Sequence, residues 1–272
     1  MLWSPNIEDK VFIVTGGAAG VGGALVNRLL SENARSVVFL DVNEHEGAAL
    51  EIALHSKFGP LKAKFIKCDV SDESQLAAAF RQVLDKYNKL DCVINNAAVL
   101  ANDDQFRRMI DINFTATVSS TLKAVDIMSA KGGGTVLNVS SLLALTPHSH
   151  LPVYGATKTA VLQFSNSVGA EEYYVRTKVR VMTVCLGPTD TAILQRQYLD
   201  NFDKDCTGCL ASRAPERQRV ESAANGIVEV IKRGLTGSTW IVANDKPAVD
   251  VTEEVRYGTD VLPQVTTDEL IS

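Results

Sequence analysis

A chain of 272 residues, 46% hydrophobic and 22% charged, has the make-up of an ordinary globular protein, long enough for one large domain or two small ones. Its net charge of -5 excludes the clustered basic excess of a nucleic-acid-binding surface. No apolar run approaches the roughly 20 residues of a membrane span, and the opening MLWSPNIEDK carries no targeting pattern, so a cytoplasmic protein without a membrane span is expected.

In chain order, residues 10–17, 36–42, 62–70, 90–98, 134–141, 179–187 and 238–244 read as strands, several almost continuously apolar, as befits strands buried on both faces. Between them lie helical patterns at 22–32, at 73–87 and along one long stretch from 103 to 130. SDES at 71–74 reads as a helix start with Ser71 available to cap. The alternation predicts an α/β single-domain Rossmann fold: a doubly wound, seven-stranded parallel sheet with helices on both faces. Residues 188–216 break the rhythm as a substrate loop, and the acidic stretch 247–272 reads as a C-terminal arm to a domain spanning 1–246. Cys68, Cys92 and Cys185 sit in apolar runs as small hydrophobes. The Cys206/Cys209 pair has no second Cys or His pair beside it, so no metal site is expected.

TGGAAGVGGAL (15–25) follows the first strand and opens the first helix. Gly16 can make a tight turn, while Gly20 and Gly22 leave room for a pyrophosphate to approach unsatisfied helix N–H groups. Glycines also serve plain turns, but between a strand and a helix the cofactor reading prevails.

The spacing T-G-x-x-x-G-x-G resembles the short-chain dehydrogenase/reductase family, and the likeness runs from about residue 10 to about 244. It implies a dinucleotide held by Gly16, Ala19, Gly20, Val21 and Gly22, by Asp41 and Val42 after the second strand, and by the adenine-contacting pair Asp69 and Val70. Asn96, Ala97 and Ala98 of NNAA would follow, with Ala98 where glycine is usual. Gly187, Thr189 and Thr191 would sit beside the nicotinamide, although Leu186 replaces the usual proline and Pro188 appears two positions later. A carboxylate at Asp41 can accept bonds from ribose hydroxyls and repels a 2′-phosphate. Ala18, Ala19, Val42 and Asn43 offer no compensating positive charge, so the expected cofactor is NAD.

The family's catalytic group also has counterparts here. Tyr154 and Lys158, four apart, share one helix face; Ser141 lies thirteen residues before the tyrosine, and Asn113 falls in DINFTAT. Tyr154 is expected to act as base, Ser141 to orient the substrate, Asn113 to join the proton relay, and Lys158 to hold the nicotinamide ribose and lower the tyrosine pKa. Bringing a phenol from about 10 to about 7 requires about 4 kcal/mol, and an ammonium about 4 Å away at an effective dielectric near 20 supplies that much.

Within the family the likeness is to two related groups, the NAD-dependent 15-hydroxyprostaglandin dehydrogenases (SSL, VYGATK, TAIL) and the insect alcohol dehydrogenases (LPVYGATK, LDCVINNAAVL). Substrate contacts are expected from Ser141, Leu143, Leu151 and Tyr154, with Leu142 and Val153 adding to an apolar wall. His148 and His150 are placed equally well against the substrate or in solvent, and Tyr198 and Phe202 in a lid or in their own helix. A hydrophobic alcohol is the expected substrate. The prostaglandin group carries glutamine where Leu151 stands, which argues against a prostaglandin. A carbonyl reductase and a non-catalytic NAD-binding storage or sensor protein are the competing readings. The resemblance implies a homodimer or homotetramer built through 103–130 and 154–176.

Overall fold

The computed structural model describes residues 6–101, 103–149, 151–194 and 217–258. One sheet runs through the molecule in the order β3-β2-β1-β4-β5-β6-β7-β8. Its strands are β1 (Val11–Thr15), β2 (Ser36–Asp41), β3 (Ala63–Lys67), β4 (Cys92–Asn95), β5 (Gly134–Ser141), β6 (Val179–Leu186), β7 (Thr239–Val242) and β8 (Val249–Asp250). The first seven pair in parallel, and the order reverses between β1 and β4, which opens a crevice at their carboxyl ends. Val249–Asp250, read from sequence as the start of an arm, instead pair antiparallel with β7, giving an eighth strand.

The alternate residues of each strand feed two cores. Phe12, Val14 and Phe39 face α1 (Gly20–Ser31), α2 (Glu44–Phe58) and α8 (Val220–Arg233). Val11, Ile13 and Val38 face α3 (Glu73–Tyr87) and α5 (Ala116–Ser129), where Leu76, Phe80 and Met128 are buried. Continuous apolar strands follow from burial on both faces. Cys68, Cys92 and Cys185 are buried in this framework, and burial pushes the thiols up, Cys68 to about 11 and Cys185 to about 12.

Two local expectations are corrected. The cap of α3 is Asp72, whose carboxylate accepts from the Ser74 and Gln75 N–H groups at 2.9 and 3.1 Å. Ser71 turns its hydroxyl to Asp69 instead. The stretch 103–130 is not one regular helix: a 3-10 turn (Asp103–Gln105) leads into α4 (Phe106–Ile110), then a π-turn (Asp111–Thr115), then α5. The Ala116 N–H reaches back to the Asp111 carbonyl, and the wide turn contains Asn113. Helices α6 (Pro152–Val168) and α7 (Glu171–Thr177) lie between β5 and β6.

Candidate active site

The turn between β1 and α1 is shaped by backbone that a side chain would obstruct. Gly16 and Gly20 have φ of 62° and 53°, the left-handed region where glycine carries no steric cost. A Cβ at Gly16 would lie 2.8 Å from the Ala97 Cα, and one at Gly22 only 2.0 Å from the Gly16 carbonyl oxygen. Helix α1 begins with Ala19 as its N-cap, without a side-chain cap or an acidic residue in the first turn. Its leading N–H groups are therefore available to an anion. Asn96 locks the turn to β4 by donating from Nδ2 to the Thr15 and Gly16 carbonyls, both at 3.0 Å. The Asp41 carboxylate is held at the crevice edge by the Ala18 and Asn43 N–H groups, each at 3.1 Å. This uncapped helix start, cleared of side chains and flanked by a fixed carboxylate, fits a dinucleotide pyrophosphate and ribose. Gly22→Ala is expected to remove NADH binding, measured by fluorescence titration, because the turn cannot close around the added methyl; unchanged affinity would contradict the cradle.

From this turn a cavity of about 590 Å³ runs to Tyr154. All the residues expected to touch the dinucleotide border it, including Val21, Val42, Asp69, Val70, Ala98, Thr189 and Thr191, and so do Ser141, Leu143, Leu151 and His148. Val153 does not: it faces a separate apolar groove with Phe106, Ile110 and Phe114. His150, Tyr198, Phe202 and the Cys206/Cys209 pair lie outside the described residues. Among the described residues no group of His, Cys, Asp and Glu could hold a metal. Sequence reasoning missed Arg108 and Arg217 on the cavity wall, whereas Ile193 and Leu194 there belong to the stretch read as a substrate loop. Arg108 was within reach, since it lies four residues before Ile112, which shares that wall.

At the inner end Pro152 starts α6, and Tyr154 and Lys158 follow one turn apart. Lys158 is 2% exposed, and its Nζ donates to the Val139 carbonyl at 3.0 Å. Ser141 closes β5, where its Oγ accepts from the Leu143 N–H at 3.2 Å. Asn113 stands behind the cavity wall. Its Oδ1 accepts from the Val99 N–H at 2.8 Å, and its Nδ2 donates to the Val99 carbonyl at 3.0 Å and to Thr157 Oγ1 at 3.3 Å. Thr157 in turn donates to the Tyr154 carbonyl at 2.8 Å, so Asn113 braces the turn that carries the tyrosine.

The expected electrostatics need correction. Burial pushes the Tyr154 phenol up to about 12, only partly opposed by its hydrogen bond with Ser141. Burial also brings Lys158 down to about 8, so it remains mostly protonated at neutral pH. Its Nζ lies 5.7 Å from the Tyr154 ring centre. Moving a phenol from about 12 to about 7 requires about 7 kcal/mol, more than the ~4 kcal/mol that one ammonium about 4 Å away supplies at an effective dielectric near 20. The lysine alone is therefore insufficient in the ligand-free protein, because desolvation of the phenolate exceeds its attraction.

The profile of the short chain dehydrogenase family matches residues 10–201. A 15-hydroxyprostaglandin dehydrogenase [NAD(+)] of Macaca fascicularis is 37% identical over 193 residues, covering 70% of this chain and 72% of the relative. Alcohol dehydrogenase 1 of Ceratitis cosyra is 26% identical over 242 residues, covering 87% and 92%. Among solved structures, L-sorbose reductase from Gluconobacter frateurii, complexed with NADPH and L-sorbose, superposes with a TM-score of 0.77 at 23% identity. That superposition covers 88% of this chain and 97% of the reductase, and it supports the fold.

Proposed function

The chain belongs to the short-chain dehydrogenase family, and from that premise we propose that it is an NAD-dependent alcohol dehydrogenase oxidising a hydrophobic alcohol, secondary or of isoprenoid or lipid type, to its carbonyl. One observation carries the reading: Ser141, Tyr154 and Lys158 meet at the inner end of the same cavity that the glycine turn opens. When bound, NAD supplies the hydride acceptor and a positively charged ring. The glycine turn and the first turn of α1 would hold its pyrophosphate, and Asp41 its adenosine ribose.

The protein's own part is to hold the alcohol and take its proton. Ser141 hydrogen-bonds the substrate oxygen and steadies its developing charge. The Tyr154 phenolate oxygen accepts the hydroxyl proton, and the charged Lys158 favours that phenolate. Asn113 joins the proton relay, and its amide, engaged with Val99 and Thr157, also braces the turn that carries Tyr154. Leu142, Leu143, Leu151, Ile193 and Leu194 give the cavity its apolar wall, which selects against small hydrated alcohols.

The high Tyr154 pKa keeps a second reading in play, an NAD-binding storage or sensor protein with little turnover. NADH formation against a panel of apolar secondary, isoprenoid and fatty alcohols separates the two. Turnover that rises with alcohol apolarity, and falls when NADP replaces NAD, is the expected result. NADH binding without turnover across the whole panel supports the second reading instead.

The groove lined by Phe106, Ile110, Phe114, Pro152, Val153 and Ala156 runs between α4 and α6. Phe106 and Ile110 are each more than a third exposed there. This supports association of two or four copies through those helices.

A further inference from the structure

The chain leaves β6 through Gly187, Pro188 and Thr189, all on the cavity wall, and Gln218 meets it again just before α8. The Gln218 N–H donates to the Pro188 carbonyl at 2.9 Å, and the Gln218 carbonyl accepts from the Asp190 N–H at 2.9 Å. This isolated parallel bridge pairs Thr189 with Gln218. The side chain adds a second connection. Gln218 is 1% exposed, and its Nε2 donates to Thr189 Oγ1 and to the Val242 carbonyl, both at 3.0 Å. The Val242 carbonyl also accepts the Gly187 N–H at 2.9 Å, and Thr189 Oγ1 passes its own hydrogen to the Gly187 carbonyl at 2.9 Å.

One amide thus ties together the end of β6, the end of β7 and the start of α8. The knot reaches the glycine turn as well. Thr191 Oγ1 donates to the Thr189 carbonyl at 3.3 Å, and a Cβ at Gly20 would lie 3.2 Å from the Thr191 methyl. Joining the two segments needs only the backbone bridge, and burying a primary amide is a costly way to reinforce it. The Gln218 Oε1 has no partner among the described residues, so the amide is not there as part of a fully satisfied core network. What the side chain uniquely fixes is the rotamer of Thr189 and the path of Gly187 beneath it. That support falls beside Leu186 and Pro188, where the sequence departs from the family's usual pattern.

We infer that Gln218 is a positioning residue for the nicotinamide end of the cavity, acting through the Thr189 hydroxyl and Gly187. The inference rests on the dinucleotide reading of that cavity. The ligands that test it are NADH and ADP-ribose, which share the adenosine diphosphate half and differ in the nicotinamide. Binding of both is measured by calorimetry on wild type, Gln218→Leu, Thr189→Val and the double variant, with melting temperatures confirming that each folds.

Each single variant is expected to weaken NADH by about tenfold, the scale of one or two lost hydrogen bonds, while ADP-ribose stays within about twofold. The double variant should be no worse than the more affected single one, because both changes remove the same contact. Equal loss for both ligands, no loss for NADH, or fully additive losses overturns the positioning role. Wild type that binds neither ligand overturns the dinucleotide reading itself, and the inference with it. Thr189→Val conserves volume, so the test survives if Gln218→Leu does not fold.

Discussion

Replacing Tyr154 with phenylalanine should leave NADH affinity within about twofold and reduce turnover of the best alcohol by roughly 10²–10⁴-fold, the range of a lost general base. The ring still packs on α6, so the cavity keeps its shape; what disappears is the oxygen that shares a hydrogen bond with Ser141 and takes the substrate proton. A structural tyrosine predicts the reverse pattern, with a lower melting temperature and little kinetic effect. The measurement is a paired one: nucleotide titration and steady-state rates on the same preparation. Turnover retained within about tenfold would remove Tyr154 from the chemistry and leave the apolar cavity as a binding site without a base.

How much of this was legible in the chain follows from which signals are local. The parallel sheet with helices on both faces was legible from seven apolar runs alternating with helices, since strands covered on both faces cannot carry polar alternation. The glycine turn was legible because crowding at Gly16 and Gly22 admits no Cβ. Tyr154 and Lys158 were legible because a spacing of four is one helical turn.

What escaped is tertiary. The π-turn at Asp111–Thr115 adds no residue type that a helical pattern would flag, and β8 is two residues whose pairing depends on where the preceding turn returns the chain. Asp72 outcompetes Ser71 as a cap because its carboxylate can accept two N–H groups at once, while the serine is drawn to Asp69. Gln218 looks like any surface glutamine until the ends of β6 and β7 close over it. The titration of Tyr154 escaped for the same reason: its motif gives a spacing, but burial of the phenol, partly opposed by Ser141, sets the energy.

Lys158→Met should lower turnover by roughly 10²-fold or more, because the charge that favours the phenolate is gone, and should move the acidic limb of the pH–rate profile, where Tyr154 becomes protonated, to higher pH. The same substitution carries a stability signature that needs no substrate. Lys158 titrates near 8 when folded, against an ordinary 10.5, because burial disfavours its charge. Between those values the unfolded chain binds more protons than the folded one, so this group's contribution to stability rises with pH. Below about 8 both states are charged and the folded protein carries a constant penalty of roughly 3 kcal/mol.

The buried Cys185 acts with the opposite sign. Its folded value of about 12 against an ordinary 9.0 means that stability is lost as pH climbs above 9. The comparison that isolates the lysine is therefore the difference between wild type and Lys158→Met, followed by denaturant unfolding from pH 6 to about 10. The variant should be the more stable protein at pH 7, and its advantage should shrink as pH rises through 8 and beyond. A constant difference across that window would mean that the ammonium is not held in a desolvated site, and its influence on the Tyr154 phenolate would then shrink to that of a solvent-screened charge.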